Sequence, residues 1–536
     1  MTTIDTHVGV STHTTGPSFV ASVGQWVISS DHKKIGRLFI GLSLLYAIAA
    51  ALIGALIGFE RINPDGAQFF DADAALQLTQ LHRHALVFGL LAPLFIGLAL
   101  AVVPMQVGAR AIAFPRLAQL SFWTWAFGTD LVLISFIANG GPGGGSSDMV
   151  DLYLLGLALS LAGLLAGAVS VATTVLTSRA PGMGLADVPA FSWSALMGSV
   201  AAMLSLPVAI GTVAYLYVDH TYSQTAFGDN KVINTWLGWV YAQPQTFVLI
   251  VMALGVLAEV APVTARVRQP LRPVLLAGIA LITTATLGAV TQTAHVLDLT
   301  GTTGDKLSST ILFLFFNGLP LLGALVTVAV AMLSFKQGRP GVNASFAFVL
   351  LGALMVLAGV AGSFLQHIGD AALVGTSFGE GVTAYVVYGG LLAGLGGITY
   401  WAPKLWGVVL DDKKVLGLAG LGFIGVVLAS LPLYIAGFAD QPVDAVNDFD
   451  YSGPIGLWNV LAGAGSAVIA LVVLAFVGLL FAAVRKGAGA SDDPWDAHTL
   501  EWSIPSPAPI DNFAALATVA SSEPLLDVKP SQEVPA

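Results

Sequence analysis

The chain contains no cysteine, which excludes disulfides, thiolate metal ligands and cysteine nucleophiles together. Charge is scarce as well: Asp, Glu, Lys and Arg make up 10% of the 536 residues, against 56% hydrophobic, whereas a typical soluble domain carries about 25% charged residues. So little charge cannot solvate a chain of this length, and the composition is that of a polytopic membrane protein. Soluble-enzyme signatures are missing too. There is no HExxH, GxSxG or kinase-like set, and nothing supports nucleic-acid binding. The glycine-rich "NGGPGGGSSD" at 139–148 lacks a GK[ST] ending and follows no strand, so it reads as an interhelical loop.

What is present in abundance is apolar sequence in runs long enough to cross a bilayer. Twelve such runs are expected, near 36–59, 83–106, 118–140, 150–178, 192–218, 235–262, 272–297, 308–334, 344–366, 378–401, 415–438 and 456–484. The expected architecture is an all-α bundle of twelve transmembrane helices forming one domain, 36–486, between an N-terminal tail at 1–35 and a C-terminal tail at 487–536. An even number of spans puts both termini on one side. Of 21 Lys and Arg residues, sixteen fall at that end, among them Lys33, Arg110, Arg179, Arg268, Lys404, Lys413 and Arg485. The positive-inside rule makes it cytoplasmic. The net charge of -10 belongs mostly to the opposite loops, which carry Asp71, Asp229, Asp305, Asp440 and Asp444. The first 30 residues have no apolar signal-peptide core and read as a cytoplasmic tail.

The turns between the runs are more specific. "SDHKKIGRLFIG" (30–41) precedes the first, "VPMQVGARAIAFPRLAQLSFW" (103–123) joins the second and third, and "SRAPGMGLADVPAFSWSALM" (178–197) joins the fourth and fifth. The end of the chain reads "DDPWDAHTLEW" (492–502), then "PSPAP" and Asn512-Phe513. In this order these segments resemble the DHKKIG, IGAPDMAFPR, RAPGM and DDPW…LEW…NF elements of subunit I of the haem-copper oxidases, the cytochrome c oxidases. The resemblance runs from about Asp31 to Asp527. It implies a twelve-helix fold, two haems and a copper ion, electron transfer from cytochrome c to oxygen with proton pumping, and neighbouring integral membrane subunits in a prokaryotic plasma membrane.

At the positions where the family keeps its chemistry, the resemblance fails. The sixth span of the family begins W-x-x-G-H-P-E-V-Y; here Trp239 and Pro244 remain, but the copper histidine reads Gln243, the proton-pathway glutamate Gln245 and the cross-linked tyrosine Phe247. In the seventh span, the family's W-A-H-H falls on "TAHV", which leaves His295 as a possible remnant copper ligand and replaces its neighbour by Val296. In the tenth, Gly396, Gly397, Trp401 and Pro403 anchor the family's G-G-x-x-x-W-x-P and place the high-spin and low-spin haem ligands on Gly381 and Thr383, neither of which binds iron. Counting back from Pro93 and Pro104 puts the other low-spin ligand on His82, with no partner across the ring. The aspartate of APDMAFPR falls on Ala111, the lysine of the second proton route near Ala324, and the arginines that contact haem propionates near Val443 and Asp444.

The remaining polar residues have plainer readings beside these. His82 and His84 are two apart, on different faces of a helix, and are expected at its outer, interfacial end, where imidazole reaches water. Trp123, Trp125, Trp236, Trp239 and Trp401 are expected near span ends, as interfacial belts. Asp130, about mid-span in "TWAFGTDLVLI", is expected to pair with a Thr or Gln of a neighbouring helix or to serve a proton or cation path; Glu259 lies near the cytoplasmic end of its span. Three functions follow. The first is a structural or assembly subunit of a respiratory complex, bound to a protein resembling oxidase subunit III and carrying at most one haem, on His82. The second is a working terminal oxidase. The third is a carrier that reuses the haem cavity for a small ligand.

Overall fold

The computed structural model describes residues 24–528 apart from 64–68, 225, 229, 243–244, 293, 447–448, 450–452, 488 and 516–517. Twelve of its helices are long and apolar enough to cross a membrane, and they are numbered here in chain order: α1 (His32–Glu60), α2 (Ala72–Gln106), α3 (Pro115–Ile137), α4 (Ser147–Thr177), α5 (Ala190–Thr221), α6 (Ile233–Ala265), α7 (Arg272–Val290), α8 (Thr303–Gln337), α9 (Ala344–Gln366), α10 (Phe378–Trp406), α11 (Asp412–Phe438) and α12 (Ile455–Lys486). No strand occurs among the described residues. The chain is a multi-pass membrane protein with an all-helical bundle.

Helix boundaries follow the cap chemistry. Asp31, Asp71, Asn343 and Asp411 each accept a backbone N–H of the first turn of α1, α2, α9 and α11, and Thr302 with Asp305 forms a capping box at α8. Gly407 and Gly487, with φ of 69° and 63°, take the left-handed conformation that ends α10 and α12. Three helices form the centre: the most apolar windows of α2, α6 and α10 are each 94% buried inside the protein, against 28% for α12. Helices α2 and α10 carry the His82 and Thr383 positions. Packing around α10 relies on its "GGLLAGLGG" stretch. A Cβ on Gly389 or Gly396 would lie 2.8 Å or less from α9 side chains, and one on Gly390 or Gly394 would lie 2.7–2.8 Å from Leu91 or Leu94 of α2. Without side chains there, both neighbours approach the backbone.

Several spans run longer than the runs read in the sequence, α8 among them at Thr303–Gln337 against the expected 308–334, and α2 and α7 depart as follows. Helix α2 begins eleven residues earlier than expected and widens into a π turn over Ala85–Leu91. Helix α7 is shorter than the expected 272–297. It tightens to 3₁₀ geometry from Thr283, where Thr283 and Thr284 donate their hydroxyls to the carbonyls of Ala280 and Leu281, and its helical path ends at Val290. The tryptophans also differ from the belt expectation: Trp125 and Trp401 are fully buried in the core, and Trp239 is buried, while Trp236 is exposed.

The sequence turns that carry the resemblance all meet on one face, under the C-terminal tail. Lys33 Nζ donates to Ile510 O and to Asn512 Oδ1, each at 3.1 Å, and Asn512 Nδ2 donates to Ala109 O at 2.8 Å. The Val519 N–H donates to Pro181 O in the "RAPGM" turn, at 2.9 Å. Lys404 Nζ donates to Asp492 O at 2.7 Å, and Trp495 Nε1 to Tyr400 O at 2.9 Å. Glu501 and Trp502 of "LEW" are buried. The tail therefore packs on the bundle over most of its described length.

Candidate functional site

At the opposite end of the bundle, helices α1, α2, α6, α9, α10, α11 and α12 enclose a cavity of about 210 Å³. Helix α2 supplies Thr79, His82, Arg83 and Leu86, an i, i+3, i+4, i+7 stripe along one face. Helix α10 supplies Glu380, Thr383 and Ala384 at the same helical spacing. His82 and Thr383, the two positions read as the low-spin pair, thus line one space. The His82 Nε2 atom is buried and has no hydrogen-bond partner, and it lies 3.0 Å from where a Cβ on Gly54 would stand. The Thr383 hydroxyl donates its hydrogen to Gly379 O one turn back at 3.1 Å.

Two ion pairs close this cavity. Arg61, which caps α1, places Nη1 2.6 Å and Nη2 3.0 Å from the two carboxylate oxygens of Glu380. Arg83 Nη2 donates to both oxygens of Asp444, at 2.5 and 2.7 Å. The pairs are joined, since the Asp444 N–H donates to Glu380 Oε1 at 2.7 Å. Two cations and two anions make a cluster with no net charge, each partner offsetting part of the cost of burying the other. Neither Glu380 nor the two arginines stood out in the sequence reading. The signal available was that Arg61 and Arg83 are rare basic residues on an acidic side, which calls for acidic partners.

The other expected site residues are dispersed. Gly381 faces away from Thr383, toward α11: a Cβ there would lie 2.6 Å from the Tyr434 ring and 3.1 Å from Ser430 O. Tyr434 stacks on Phe378, with centroids 4.0 Å apart, and donates its hydroxyl to Ala358 O at 3.1 Å. A packed tyrosine therefore occupies the space beside the high-spin position. Gln243 lies outside the described residues, and so does the side chain of Gln245. Phe247 is buried among α6 core residues and does not border the cavity.

His295 and Val296 are not in a helix, because α7 ends before them. They run in an extended connection in which the Leu297 N–H donates to His367 O at 2.8 Å and Asn317 Nδ2 to His295 O at 3.1 Å. The His295 ring stacks on Phe316 at 4.2 Å. Among the described residues no three His, Asp or Glu side chains come together as a metal-binding group.

The remaining polar residues depart from their interfacial or path readings. His84 is 1% exposed, with both ring nitrogens lacking hydrogen-bond partners, packed against Phe88 and Tyr241. His84 is thus packed inside the bundle, while His82 is partly buried and lines the cavity. Asp130 is exposed on the outside of the bundle, away from the cavity, and accepts a hydrogen bond from the Tyr46 hydroxyl at 3.2 Å in place of the expected Thr or Gln. On the tail side, Glu259 accepts from the Phe191 N–H and the Thr499 hydroxyl, and Glu501 accepts from Gln106 and Trp401.

The sequence matches the family model described as "Cytochrome C and Quinol oxidase polypeptide I" over residues 34–468. Among similar proteins, cytochrome c oxidase subunit 1 of Bacillus subtilis (strain 168) is 28% identical over 534 residues, covering 93% of this chain and 82% of that protein. A probable cytochrome c oxidase subunit 1-beta of Nocardia farcinica (strain IFM 10152) is 27% identical over 532 residues, covering 94% of this chain and 87% of its own length. With twelve spans, the tail-side turns and a family match over most of its length, the chain belongs to the subunit I family of the haem-copper oxidases.

Proposed function

We propose that this chain is a subunit I-like protein without a functional haem-copper centre, serving as a structural or assembly subunit of a respiratory complex in a prokaryotic plasma membrane, with both termini cytoplasmic. The observation that carries the proposal is the residue that shares the cavity with His82: where the resemblance places the second low-spin ligand, the chain has Thr383, whose hydroxyl donates to Gly379 O within its own helix. Low-spin haem iron needs two strong axial donors, and a neutral threonine hydroxyl is not one.

The charges give further support. Haem propionates bring two negative charges that need cations, and here Arg61 and Arg83 are each paired with a carboxylate of the protein itself. At the high-spin position, Gly381 offers no ligand and the Tyr434 ring stands beside it. The residues present do not fit the family's cofactors. What remains intact is the tail-side clasp of Lys33, Lys404, Glu501 and Asn512, whose contacts are packing and hydrogen bonding. A fold kept for such contacts is suited to holding other integral membrane subunits, among them one resembling oxidase subunit III.

The test is purification in digitonin, followed by an optical spectrum, metal analysis and mass spectrometry. The proposal expects substoichiometric haem and copper, no carbon monoxide-reactive haem, no cytochrome c oxidation, and a stoichiometric polytopic partner. One high-spin haem per chain would establish the oxidase reading instead. A chain recovered alone would favour a carrier.

A further inference from the structure

Glu259, near the tail-side end of α6, and Glu380, in the first turn of α10, are held by internal donors. Asp130 differs. It lies within α3, about two turns from the helix end, on an outward stripe with Leu120, Phe127, Ile134 and Ile137, of which Phe127 is 61% and Ile134 51% exposed. A carboxylate facing lipid hydrocarbon is costly, and such residues pair with another polar group.

One such group is built into the fold. Tyr46 of α1 reaches across to donate its hydroxyl to Asp130 Oδ1 at 3.2 Å. Its ring is fixed: it lies edge-on to Trp125 and fills the space left by Gly89, where a Cβ would come within 2.9 Å of it. The tyrosine thus holds the carboxylate in a set position. A carboxylate has about four acceptor sites, and among the described residues Tyr46 is the donor recorded for it. Asp130 is exposed on the outside of α3, where lipid tails offer no donor.

We infer that Asp130 and Tyr46 form a polar anchor for a transmembrane helix of a partner subunit bearing an arginine or lysine at that depth. A second copy of this chain is a poorer occupant, because a two-fold contact centred on this stripe would bring Asp130 against its own symmetry mate. The inference rests on the reading of the chain as a subunit of a complex and names the surface and chemistry of the contact.

A photoreactive benzoylphenylalanine placed at Phe127, Ile134 or, as a control, the 62% exposed Leu471 of α12 tests it in native membranes with the full chain. The expected result is a discrete adduct from positions 127 and 134, containing a peptide with a transmembrane Arg or Lys, that is lost with Asp130→Leu and with Asp130→Asn. The Asn variant can still accept from Tyr46, so its loss of the adduct reads the charge, and unchanged thermal melting of the Asn protein keeps misfolding separate. Adducts to lipid alone, a homodimeric adduct, or an adduct unaffected by Asp130→Asn would each overturn the inference. A partner that co-purifies but cross-links only from other surfaces would overturn it while leaving the proposed function standing; absence of any partner would remove the proposed function itself.

Discussion

Arg61 and Glu380, 319 positions apart in sequence, meet in a two-pronged ion pair at 2.6 and 3.0 Å that ties the end of α1 to the start of α10. The arginine side chain is 2% exposed and the glutamate 19%. Removing one member leaves the other buried without its counter-charge, which costs on the order of 3–5 kcal/mol for a buried pair. Arg61→Met and Glu380→Met should each lower the detergent-solubilised melting temperature. The double variant should fall by less than the two combined, because it strands no charge. Additive losses would show that the two side chains act independently.

Gly381 and Tyr434 set a second expectation. The Tyr434 ring is held by its stack on Phe378 and its hydrogen bond to Ala358, so it cannot yield to a Cβ at 2.6 Å. Gly381→Ala should destabilise by about 1–3 kcal/mol, the usual cost of overpacking. Combining it with Tyr434→Leu, which makes room, should recover part of the loss. Equal melting of wild type and Gly381→Ala would mean that α10 and α11 are less closely packed than described.

The sequence made the fold legible because bilayer-length apolar runs and cap residues are local signals, and the twelve spans fall close to where those runs lie. That His82 and Thr383 line one cavity agrees with the spacing to Pro93 and Gly396 from which the two positions are read. What could not be read were contacts between distant segments. Nothing local to Arg61 names Glu380, and nothing local to Gly381 names Tyr434. The extent of α7 was misjudged because apolar composition alone does not register hydroxyl groups that tighten the helix before His295. Asp130 reads as an intramembrane acid, but the face it occupies depends on how α3 packs against α4, a contact between segments that the sequence of α3 alone does not name.

Orientation in the membrane follows from the charges. With the basic end cytoplasmic, a maleimide that cannot cross membranes should label Asp305→Cys on intact cells and should label Lys413→Cys only after lysis. The absence of native cysteine makes each label unambiguous. The reverse pattern would invert the topology and place the tail outside.

The buried tail carboxylate gives a pH dependence with a definite sign. Glu501 is fully buried, and burial pushes its carboxyl above the ordinary carboxylate value of 4.5, partly opposed by hydrogen bonds from Gln106 and Trp401. One of its oxygens, Oε2, has no partner, the position a proton would occupy. A raised pKa means that the folded protein holds a proton which the unfolded chain has released. Stability from this group is therefore complete below about pH 4.5 and declines as pH rises through the raised folded value. Docking of the tail should loosen progressively over that interval, seen as faster amide exchange or proteolysis across 490–515, while the spans stay protected. Glu501→Gln keeps an acceptor for Gln106 and Trp401 and carries no titrating proton, so it should flatten the profile without releasing the tail. A profile unchanged by Glu501→Gln would assign the pH dependence to another group, and tail release at every pH in this variant would show that Glu501 acts as an ionised carboxylate.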